Sequence, residues 1–393
     1  MHILFLESHY PSLDGSRGGG AGTYVRIVAQ ELTKQGNKVS VITGFENNTQ
    51  DGYYKDQDVE VYTQNISSRT LWYLSKIPLI NTFLFRSIEY LIRGYKKYSL
   101  IKKIHKKCKI NIIEYSSTGD FWQSIFKSIP YIVHLHGSKF TIDRYLNKSI
   151  TLGDRLMNYF VRYFYKNASF IISPSKWMIS EVEKENKIDF QKKLVLKYPI
   201  SFFNSGILNN KIDKKIRFFM AARNDIAKGW NQIISAINNL SESYLCKSEF
   251  VFFGLDKINK INERDNITIH KFSKRSIIIE ELKKSNVALV PSWVDNSPNT
   301  IYEAMAFGKA VIASNRSGIP ELVENYKTGI LVDPMNIDEL KKSIEFMIDN
   351  PMKVVEFGRE GYNFISKEAE IKMNVQIRLQ IWKENICFSN QVL

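Results

Sequence analysis

Glycines and cations follow several apolar runs of this sequence, at positions suited to binding phosphate. Four glycines lie within residues 18–22, after the first apolar run, and Gly19 and Gly20 stand where a helical pattern begins. A glycine-rich turn before a helix presents backbone N–H groups and the positive end of the helix dipole, and both favour phosphate. The segment is neither GxGxxG nor followed by GK[ST], so the dinucleotide and Walker fingerprints do not apply. A tight turn without a ligand is the alternative interpretation.

A second group of candidates lies in the segment AARNDIAKGW, residues 221–230. Arg223 and Lys228 follow an apolar run that is expected to be a strand, and ligands of open α/β sheets bind beyond the carboxyl ends of the strands. Two cations around one turn are placed to hold a diphosphate from two sides. The alternative is a pair of solvated loop charges.

Residues 291–314 predict a short helix that directly follows a strand. Ser297 is a favourable N-cap, Pro298 suits the first helical position, and Gly308 suits the C-terminal stop. The helix is therefore expected to run from Pro298 to about Phe307.

The same short helix brings amides and carboxylates together. Its N-terminus offers the N–H groups of Asn299 and Thr300 to an anion. Asp295 lies just before the helix, and Glu303 lies in its second turn. Carboxylates accept hydrogen bonds from neutral hydroxyls while the amides bind phosphate. A phosphate donor that bears hydroxyls on both sides of its phosphates is a nucleotide sugar.

These candidate segments lie between strand and helix patterns that alternate along the chain. Most apolar runs are rich in Val, Ile and Phe without strict alternation, as in parallel strands that are buried on both faces. The pattern predicts doubly wound α/β layers. The expected strands are Ile3–Leu6, Val39–Thr43, Ile110–Tyr115, Ile132–His136, Phe170–Ser173, Ile216–Ala222, Phe250–Gly254, Ile267–Ile269, Val287–Pro291, Ala310–Ser314 and Ile330–Val332.

The alternation breaks once, in a polar stretch between residues 197 and 215. Each side of the break has room for a sheet of about five or six strands. Past residue 350 the pattern is helical, with one apolar stripe formed by Ile371, Val375, Leu379, Trp382 and Ile386. We therefore predict a first domain over residues 1–200, a second over 201–370 and a terminal helix over 371–393.

Composition excludes several classes of protein. Three scattered cysteines exclude a disulfide framework and a Cys-based zinc site. The first residues form no signal peptide, and no segment reaches the roughly 18 uncharged apolar residues of a membrane-spanning helix. Of the formal net charge of +15, +12 lies within residues 1–200. A basic half indicates nucleic acid, an anionic membrane face or an anionic substrate as partner, and compositional drift is the alternative.

The most basic segment is residues 93–109, which hold eight Lys and Arg residues. Apolar residues at positions 84, 88, 91, 95 and 98 precede and overlap it at helical spacing. One interpretation is a solvated helix that covers the sheet. The other is a helix that docks on an anionic membrane face.

Taken together, these segments resemble a retaining glycosyltransferase of family 4. That family has the GT-B fold, in which two Rossmann-like, doubly wound parallel-sheet domains face each other and a C-terminal helix crosses back to the first domain. The resemblance spans nearly the whole chain, and its specific part is residues 291–332. The matching segments are GGGAGTY at 18–24, His136–Gly137, Arg223–Gly229, PSWVDNSPNTIYEAMAFGKAVIAS at 291–314, Gly318–Val323 and Thr328–Val332.

The resemblance implies roles for the donor-side residues. Arg223 and Lys228 would neutralise the diphosphate of the donor. Glu303 would hold the ribose hydroxyls. Asp295 stands for the first acid of the family's Glu-x7-Glu pair and would face the donor sugar, although it is one methylene shorter than the usual Glu.

The resemblance also implies roles for backbone groups and for the first domain. The amides of Asn299 and Thr300 would contact the distal phosphate, and Gly19–Gly20 would close over the diphosphate. His136 would lie near the anomeric centre or the sugar. His134 shares the face of the same expected strand, so either histidine can be the packed one. No residue around His270–Ser273 can be assigned a contact with the nucleotide base of the donor. The segment YPIS at 198–201 stands where the family usually has PNG.

The function that follows is transfer of a sugar from a nucleotide-diphosphate donor to a glycan or lipid-linked acceptor, with retention. The resemblance implies a role in bacterial surface polysaccharide or lipopolysaccharide synthesis. The protein is then expected in the cytoplasm or peripherally on the inner face of the plasma membrane. The donor would lie mainly on the second domain, and the acceptor would meet the basic first domain. No metal or other cofactor is expected, since the one Asp-x-Asp spacing, Asp56 and Asp58, lies in a polar stretch of the first domain.

Two other functions stay open at this point. A nucleotide-sugar 2-epimerase shares the GT-B architecture and would turn over the donor without an acceptor. A nucleic-acid-binding protein is suggested only by the positive charge. It would need basic residues interleaved with aromatic ones in a recognisable module, and the sequence has none, so no nucleic-acid partner is expected.

Overall fold

In the computed structural model of this chain, the described residues are 1–13, 18–44, 50–65, 73, 76, 85–117, 119–200, 212, 214–255, 265–271 and 273–390. The chain divides into two compact units. The first comprises Met1–Pro199 together with Ile371–Leu393, and the second comprises Ile200–Glu370. These limits fall within one residue of the boundaries drawn from the sequence at 200 and 370.

An eight-stranded sheet forms the centre of the first unit. Its strands are β1 (His2–Leu6), β2 (Lys38–Thr43), β3 (Gly52–Asp56), β4 (Val59–Thr63), β5 (Ile112–Ser116), β6 (Tyr131–His134), β7 (Phe170–Ser173) and β8 (Lys193–Val195). They lie in the order β3-β4-β2-β1-β5-β6-β7-β8, which is more strands than the five or six expected. The apolar runs of β1, β2 and β5 are almost completely buried, as predicted for central parallel strands.

One edge of this sheet departs from the predicted parallel arrangement. Strands β3 and β4 pair antiparallel. Only Gln57 and Asp58 separate them, and so short a connection permits only an antiparallel hairpin. Gln57 has a φ of 55°, in the left-handed region that such tight turns use. The sequence did not predict β3, β4 or β8, because these strands are short or polar on one face.

Helices cover the sheet of the first unit. They are α1 (Gly20–Lys34), α2 (Phe85–Lys107), α3 (Phe121–Phe126), α4 (Lys139–Tyr145), α5 (Leu152–Lys166) and α6 (Lys176–Asn186). Local signals start several of them. At α5, Thr151 and Asp154 exchange hydrogen bonds in a capping box, and at α6 the Ser175 hydroxyl accepts a hydrogen bond from the Met178 N–H.

Helix α2 carries the basic run on its solvent side. Four of its lysines are exposed: Lys102, Lys103, Lys106 and Lys107. Its buried side includes Tyr98, Ile101 and Ile104. The predicted apolar stripe is wrong at Tyr95, which is 57% exposed, because Gly94 instead faces Asp120. Position 84 of that stripe lies outside the described residues. Within the described parts of the chain, no helix combines the length and the apolar character needed to cross a bilayer.

The second unit has its own sheet, and every pair of neighbouring strands in it is parallel. Its strands are β9 (Ile216–Ala221), β10 (Ser248–Phe253), β11 (Ile267–His270), β12 (Val287–Val290), β13 (Ala310–Ser314) and β14 (Ile330–Val332), in the order β11-β10-β9-β12-β13-β14. Its helices are α7 (Trp230–Asn238), α8 (Glu242–Leu245), α9 (Arg275–Lys284), α10 (Asn299–Ala306), α11 (Ile337–Asp349) and α12 (Pro351–Glu368).

The last helix, α13 (Ile371–Asn390), belongs to the first unit. Of its predicted apolar stripe, Val375, Leu379 and Trp382 are buried, and Trp382 meets the ring of Phe5 edge-on at 6.0 Å. Ile371 and Ile386 are only half-buried. The same helix also buries polar side chains, Asn374, Arg378 and Asn385.

Candidate functional site

The carboxyl edge of the second sheet holds the loops that carry most of the predicted donor-binding residues. The N–H of Trp293, in the loop after β12, donates to the Ala227 carbonyl in the loop after β9 at 2.8 Å. Gly229 permits this contact, because a Cβ at that position would lie 2.2 Å from the carbonyl oxygen of Pro291. Its φ of 76° also favours glycine. The two loops are therefore packed side by side.

Lys228 and Asp295 meet between these two loops. The Lys228 Nζ lies 2.5 Å from Asp295 Oδ2, and the two side chains are 24% and 18% exposed. Partial desolvation strengthens such a pair relative to one in open solvent. A short 3₁₀ turn, Ile226–Lys228, presents the lysine, and the Asp225 side chain caps that turn. Lys228, which was predicted to bind the diphosphate, and Asp295, which was predicted to face the sugar, therefore lie side by side.

Glu303 is held by a residue that sequence analysis missed. Its side chain in α10 is 9% exposed, and its Oε1 lies 2.5 Å from Arg275 Nη2. Burial raises the pKa of Glu303 above its ordinary value, and the Arg275 guanidinium opposes that rise. Arg275 begins α9, just beyond the segment for which no donor contact could be assigned.

The N-terminus of α10 differs from its prediction in one detail. The helix begins at Asn299, and Pro298, whose side chain cannot cap by a hydrogen bond, occupies the N-cap position. The prediction that Ser297 is the N-cap is wrong, because its hydroxyl lies 2.8 Å from the Tyr302 hydroxyl and is engaged there. The N-terminus of α10 thus lies at Asn299 and Thr300, whose N–H groups the sequence analysis assigned to a phosphate.

Arg223 lies at the same edge of the second sheet, just after β9. Its side chain is exposed, and it makes no ion pair within the part of the chain that the structure describes. Its backbone carbonyl accepts a hydrogen bond from the Trp230 indole at 3.0 Å, which fixes the loop that carries it. Arg223 is thus a solvent-facing cation on an anchored backbone.

In the first unit, the glycine loop packs closely on the loop that follows β1. Gly19 is the N-cap of α1, without a side-chain cap, and Gly20 is the first helical residue. The Gly19 N–H donates to the His9 carbonyl at 3.2 Å. A Cβ at Gly22 would lie 1.8 Å from the same carbonyl oxygen, so only glycine fits there. The loop is therefore tightly packed at the N-terminus of α1.

The two candidate histidines of the first unit are neighbours with different exposure. Strand β6 ends at His134, so His136 lies beyond the strand and not at its predicted last position. Their ring centroids are 4.1 Å apart. His134 is completely buried whereas His136 is half-buried, so His134 is the packed one. Burial lowers the pKa of both rings well below the ordinary value, which keeps them neutral at pH 7.

His136 belongs to a buried polar cluster that sequence analysis also missed. Its Nδ1 lies 2.8 Å from the Tyr198 hydroxyl, and its ring packs against Tyr24. Tyr24 in turn donates a hydrogen bond to Glu114. Glu114 carried a signal that could have been noticed, since it is a charged residue within the apolar run of β5.

No described part of the chain gathers three or more His, Cys, Asp or Glu side chains at metal-binding distance. Asp56, half of the one Asp-x-Asp spacing, is buried against Arg26 with a 2.8 Å ion pair. It also accepts a hydrogen bond from the Tyr10 hydroxyl at 2.8 Å. Its carboxylate is therefore already engaged within the first unit.

Two family models match this chain, one on each side of the boundary. The model described as Glycosyltransferase Family 4 matches residues 18–196. The model described as Glycosyl transferases group 1 matches residues 208–364. Together they include every strand of both sheets except β1.

Curated relatives agree with these matches. An uncharacterized glycosyltransferase of Methanocaldococcus jannaschii is 25% identical over 386 residues, which is 96% of this chain and 97% of that protein. The N,N'-diacetylbacillosaminyl-diphospho-undecaprenol alpha-1,3-N-acetylgalactosaminyltransferase of Campylobacter jejuni is 27% identical over 146 residues, or 36% of this chain and 38% of that protein.

Solved structures are similar in fold over nearly the whole length. Sucrose-phosphate synthase from Thermosynechococcus elongatus has a TM-score of 0.77 at 16% identity and covers 98% of each chain. The Anabaena protein HepE, solved in complex with UDP and glucose, has a TM-score of 0.66 at 16% identity and covers 98% of this chain and 100% of its own. At these identities the likeness establishes the GT-B fold alone.

Proposed function

Since this chain belongs to glycosyltransferase family 4, we propose that it transfers a hexose-type sugar from a nucleoside diphosphate sugar to a glycan or lipid-linked acceptor, with retention. One observation carries the donor assignment. At the carboxyl edge of the second sheet, two cations and the N-terminus of α10 accompany two half-buried or buried carboxylates. That combination suits a ligand with a diphosphate and neutral hydroxyls.

The donor diphosphate binds to Arg223 and Lys228, and the distal phosphate meets the N–H groups of Asn299 and Thr300. The Lys228 Nζ lies 2.5 Å from Asp295 Oδ2. A diphosphate that binds Lys228 competes with Asp295 for the ammonium group and loosens that pair. It frees the Asp295 carboxylate for a hydroxyl of the donor sugar.

The ribose hydroxyls bind to the Glu303 carboxylate. Arg275 already holds one oxygen of that carboxylate at 2.5 Å, so Glu303 is oriented before the donor arrives. The second oxygen is then available to accept a hydroxyl hydrogen bond, since an ionised carboxylate has about four lone-pair sites. HepE, of the same fold, was solved with UDP and glucose, which makes uridine diphosphate the first nucleotide to test.

Catalysis follows from charge that develops on the leaving diphosphate. Arg223, Lys228 and the N-terminus of α10 stabilise that charge, and no metal ion takes part in the proposed route. Preorganised donors of this kind are each worth roughly 10²–10³ in rate. Departure and attack on the same face of the sugar is the proposed route to retention, with His136 beside the anomeric centre.

The proposed acceptor is an oligosaccharide on a lipid carrier, in surface polysaccharide synthesis. The Campylobacter jejuni relative is named for transfer to a diphospho-undecaprenol-linked sugar, which supports this class of acceptor. A carrier of that kind lies in a membrane. The protein then works peripherally on the cytoplasmic face of that membrane.

Two surfaces of the first unit fit an anionic bilayer. The exposed lysines of α2 supply positive charge. Helix α5 exposes an apolar stripe of Leu152, Leu156, Tyr159 and Tyr163, at 59%, 39%, 65% and 38% exposure. Its opposite side is buried at Val161 and Phe164, so α5 is amphipathic, as interfacial helices are. Tyrosine is also a residue that favours the interface.

A transfer assay tests the proposed function. UDP-, GDP-, ADP- and dTDP-sugars are incubated with the protein and a lipid-linked oligosaccharide, and nucleoside diphosphate release and the glycosylated product are measured. We expect release that depends on acceptor, an anomeric configuration that matches the donor, and full activity in EDTA. Turnover of donor to an epimer without acceptor would instead indicate the 2-epimerase. A strict Mn²⁺ or Mg²⁺ requirement would overturn the proposed chemistry.

A further inference from the structure

A buried ion pair lies beneath His136, and the terminal helix supplies half of it. Arg378 of α13 is completely buried, and its Nη1 lies 3.2 Å from both carboxylate oxygens of Glu114 on β5. The Nε of Arg378 donates to Asn374, one turn earlier in the same helix, at 2.9 Å. The pair therefore ties the terminal helix to the centre of the first sheet.

Tyr24 connects this ion pair to both predicted site elements of the first unit. Its hydroxyl donates to Glu114 Oε1 at 2.7 Å, and the Arg378 guanidinium lies 4.9 Å from its ring centroid. Its ring centroid is 4.9 Å from that of His136. Tyr24 is the fifth residue of α1, one turn beyond Gly20 in the glycine loop. One side chain thus contacts the ion pair, the loop helix and the histidine.

A second connection reaches His136 from the segment that precedes the domain boundary. The Tyr198 hydroxyl lies 2.8 Å from His136 Nδ1, and their rings stack with centroids 5.4 Å apart. Asn374 donates from α13 to the carbonyl of Lys197, the residue before Tyr198, at 2.7 Å. The terminal helix therefore fixes both side chains that flank His136.

Stability alone does not account for this arrangement. Taking two charges out of water costs free energy that their attraction often fails to recover, and an apolar pair of similar volume is often as stable or more so. The network is also incompletely satisfied. Among the described residues, Arg378 Nη2 and both ring nitrogens of His134 make no hydrogen bond. In some proteins, buried ionic groups are retained because they fix one geometry at the expense of stability.

We infer that Arg378, Glu114, Tyr24 and Tyr198 are positioning residues that fix the ring of His136 against the glycine-loop helix, which makes the terminal helix part of the transfer machinery. This inference rests on the proposed function for its kinetic consequence. The orientation of the His136 ring is described by the distances above and does not depend on that function.

The first test removes both charges together, so that neither is left buried alone. Arg378→Met with Glu114→Gln keeps side-chain volume and the oxygen that accepts from Tyr24. We expect donor Kd and donor KM to stay within twofold of wild type, because the donor site lies on the other unit, while kcat falls at least tenfold. The single variant Arg378→Lys keeps the positive charge but not the planar guanidinium group. Its kcat should therefore lie between those of the double variant and wild type.

Trp382→Phe is the matched control. Trp382 lies one turn after Arg378, is equally buried, and packs on Phe5, and its indole N–H makes no hydrogen bond to a described residue. It should lower the melting temperature and leave kcat unchanged at temperatures well below melting. If kcat falls equally in this variant and in the double variant, the helix acts through stability only and the inference is wrong. Should the double variant not fold, Tyr198→Phe removes one hydroxyl and carries the same expected loss of kcat.

A spectroscopic readout decides the matter without activity. In protein labelled with ¹⁵N-histidine, the ring nitrogens of His136 are assigned by comparison with His136→Gln. We expect Tyr198→Phe and the double variant to shift these signals, and Trp382→Phe to leave them in place. Unchanged His136 signals in both cluster variants would overturn the inference. If wild type neither binds nor uses any nucleotide sugar, the proposed function fails, and the NMR result still judges the positioning.

Discussion

Substitution of Lys228 is expected to change kcat strongly and the melting temperature only slightly. If the side chain neutralises the leaving diphosphate, Lys228→Ala should lower kcat by roughly 10²–10³, or about 3–4 kcal/mol of transition-state stabilisation. The melting temperature should change little, because an ion pair that is partly exposed contributes modestly to stability.

Lys327→Ala provides the comparison for Lys228. Lys327 lies in the same unit and also pairs with an acid, Glu324, at 2.8 Å, but its side chain is 55% exposed. Its substitution should leave kcat at the wild-type value. A folded Lys228→Ala enzyme with unchanged kcat would remove Lys228 from the site.

Glu303 predicts a pH dependence of donor binding. An ionised carboxylate accepts hydroxyl hydrogen bonds, and burial raises the pKa of Glu303, so donor affinity should fall on acidification at a pH above that of an ordinary glutamate. Arg275 lowers that pKa, so Arg275→Gln should move the loss of affinity to higher pH. Isothermal titration of donor between pH 5 and 8 measures both profiles. Superimposable profiles for wild type and Arg275→Gln would contradict the assignment of Glu303.

The elements that position these residues differ in how far the sequence predicts them. The strand ends before Arg223 and Asp295 follow from local apolar runs and turn residues. The pairing of Arg275 with Glu303 does not, because it joins α9 to α10 across 28 residues and depends on tertiary packing. The prediction that Ser297 is the N-cap is wrong for a related reason, since its hydroxyl meets the Tyr302 hydroxyl only once the helix has folded.

Helix α13 shows the same limit for a buried charge. Its apolar stripe at Val375, Leu379 and Trp382 follows from helical spacing. Asn374 and Arg378 lie on the buried side too, four residues apart, but their burial depends on Glu114, which is 264 residues from Arg378 in sequence. Local patterns therefore identify a packing helix and miss the polar contacts that it makes.

Removal of α13 should damage the fold of the first unit. Burying one large apolar side chain is worth roughly 1.5–3 kcal/mol, and the helix also covers Glu114 through Arg378. A chain that ends at Glu370 is therefore expected to be insoluble or poorly folded, which expression yield and circular dichroism will show. A soluble and active truncated protein would show that the helix is dispensable.

For the molecule as a whole, the uneven charge predicts adsorption to anionic lipid. Each Lys or Arg near such a surface is worth about 1 kcal/mol, and the attraction decays within a Debye length of about 8 Å at physiological salt. The protein should therefore sediment with phosphatidylglycerol or cardiolipin vesicles, and salt should release it. Neutral vesicles should bind it weakly.

Two sets of substitutions distinguish the contribution of charge to vesicle binding from that of apolar contact. Glutamate at the four exposed α2 positions, Lys102, Lys103, Lys106 and Lys107, should weaken sedimentation and leave donor affinity intact, because the donor site lies on the other unit. Serine at Leu152 and Leu156 tests the α5 stripe at constant charge. If the α2 variant pellets like wild type, the lysines of α2 face solvent and do not bind the membrane. Equal binding to neutral vesicles would make the apolar stripe responsible.

The central claim is that the second unit binds a nucleoside diphosphate sugar through Arg223 and Lys228. Thermal unfolding with UDP-, GDP-, ADP- and dTDP-sugars tests it most directly, in wild type and in the double variant Arg223→Ala with Lys228→Ala. We predict that one nucleotide class stabilises wild type, by about 2.7 kcal/mol at 100 times its Kd, and that the double variant loses this stabilisation. A panel with no shift in wild type, or an equal shift in the double variant, would contradict the account.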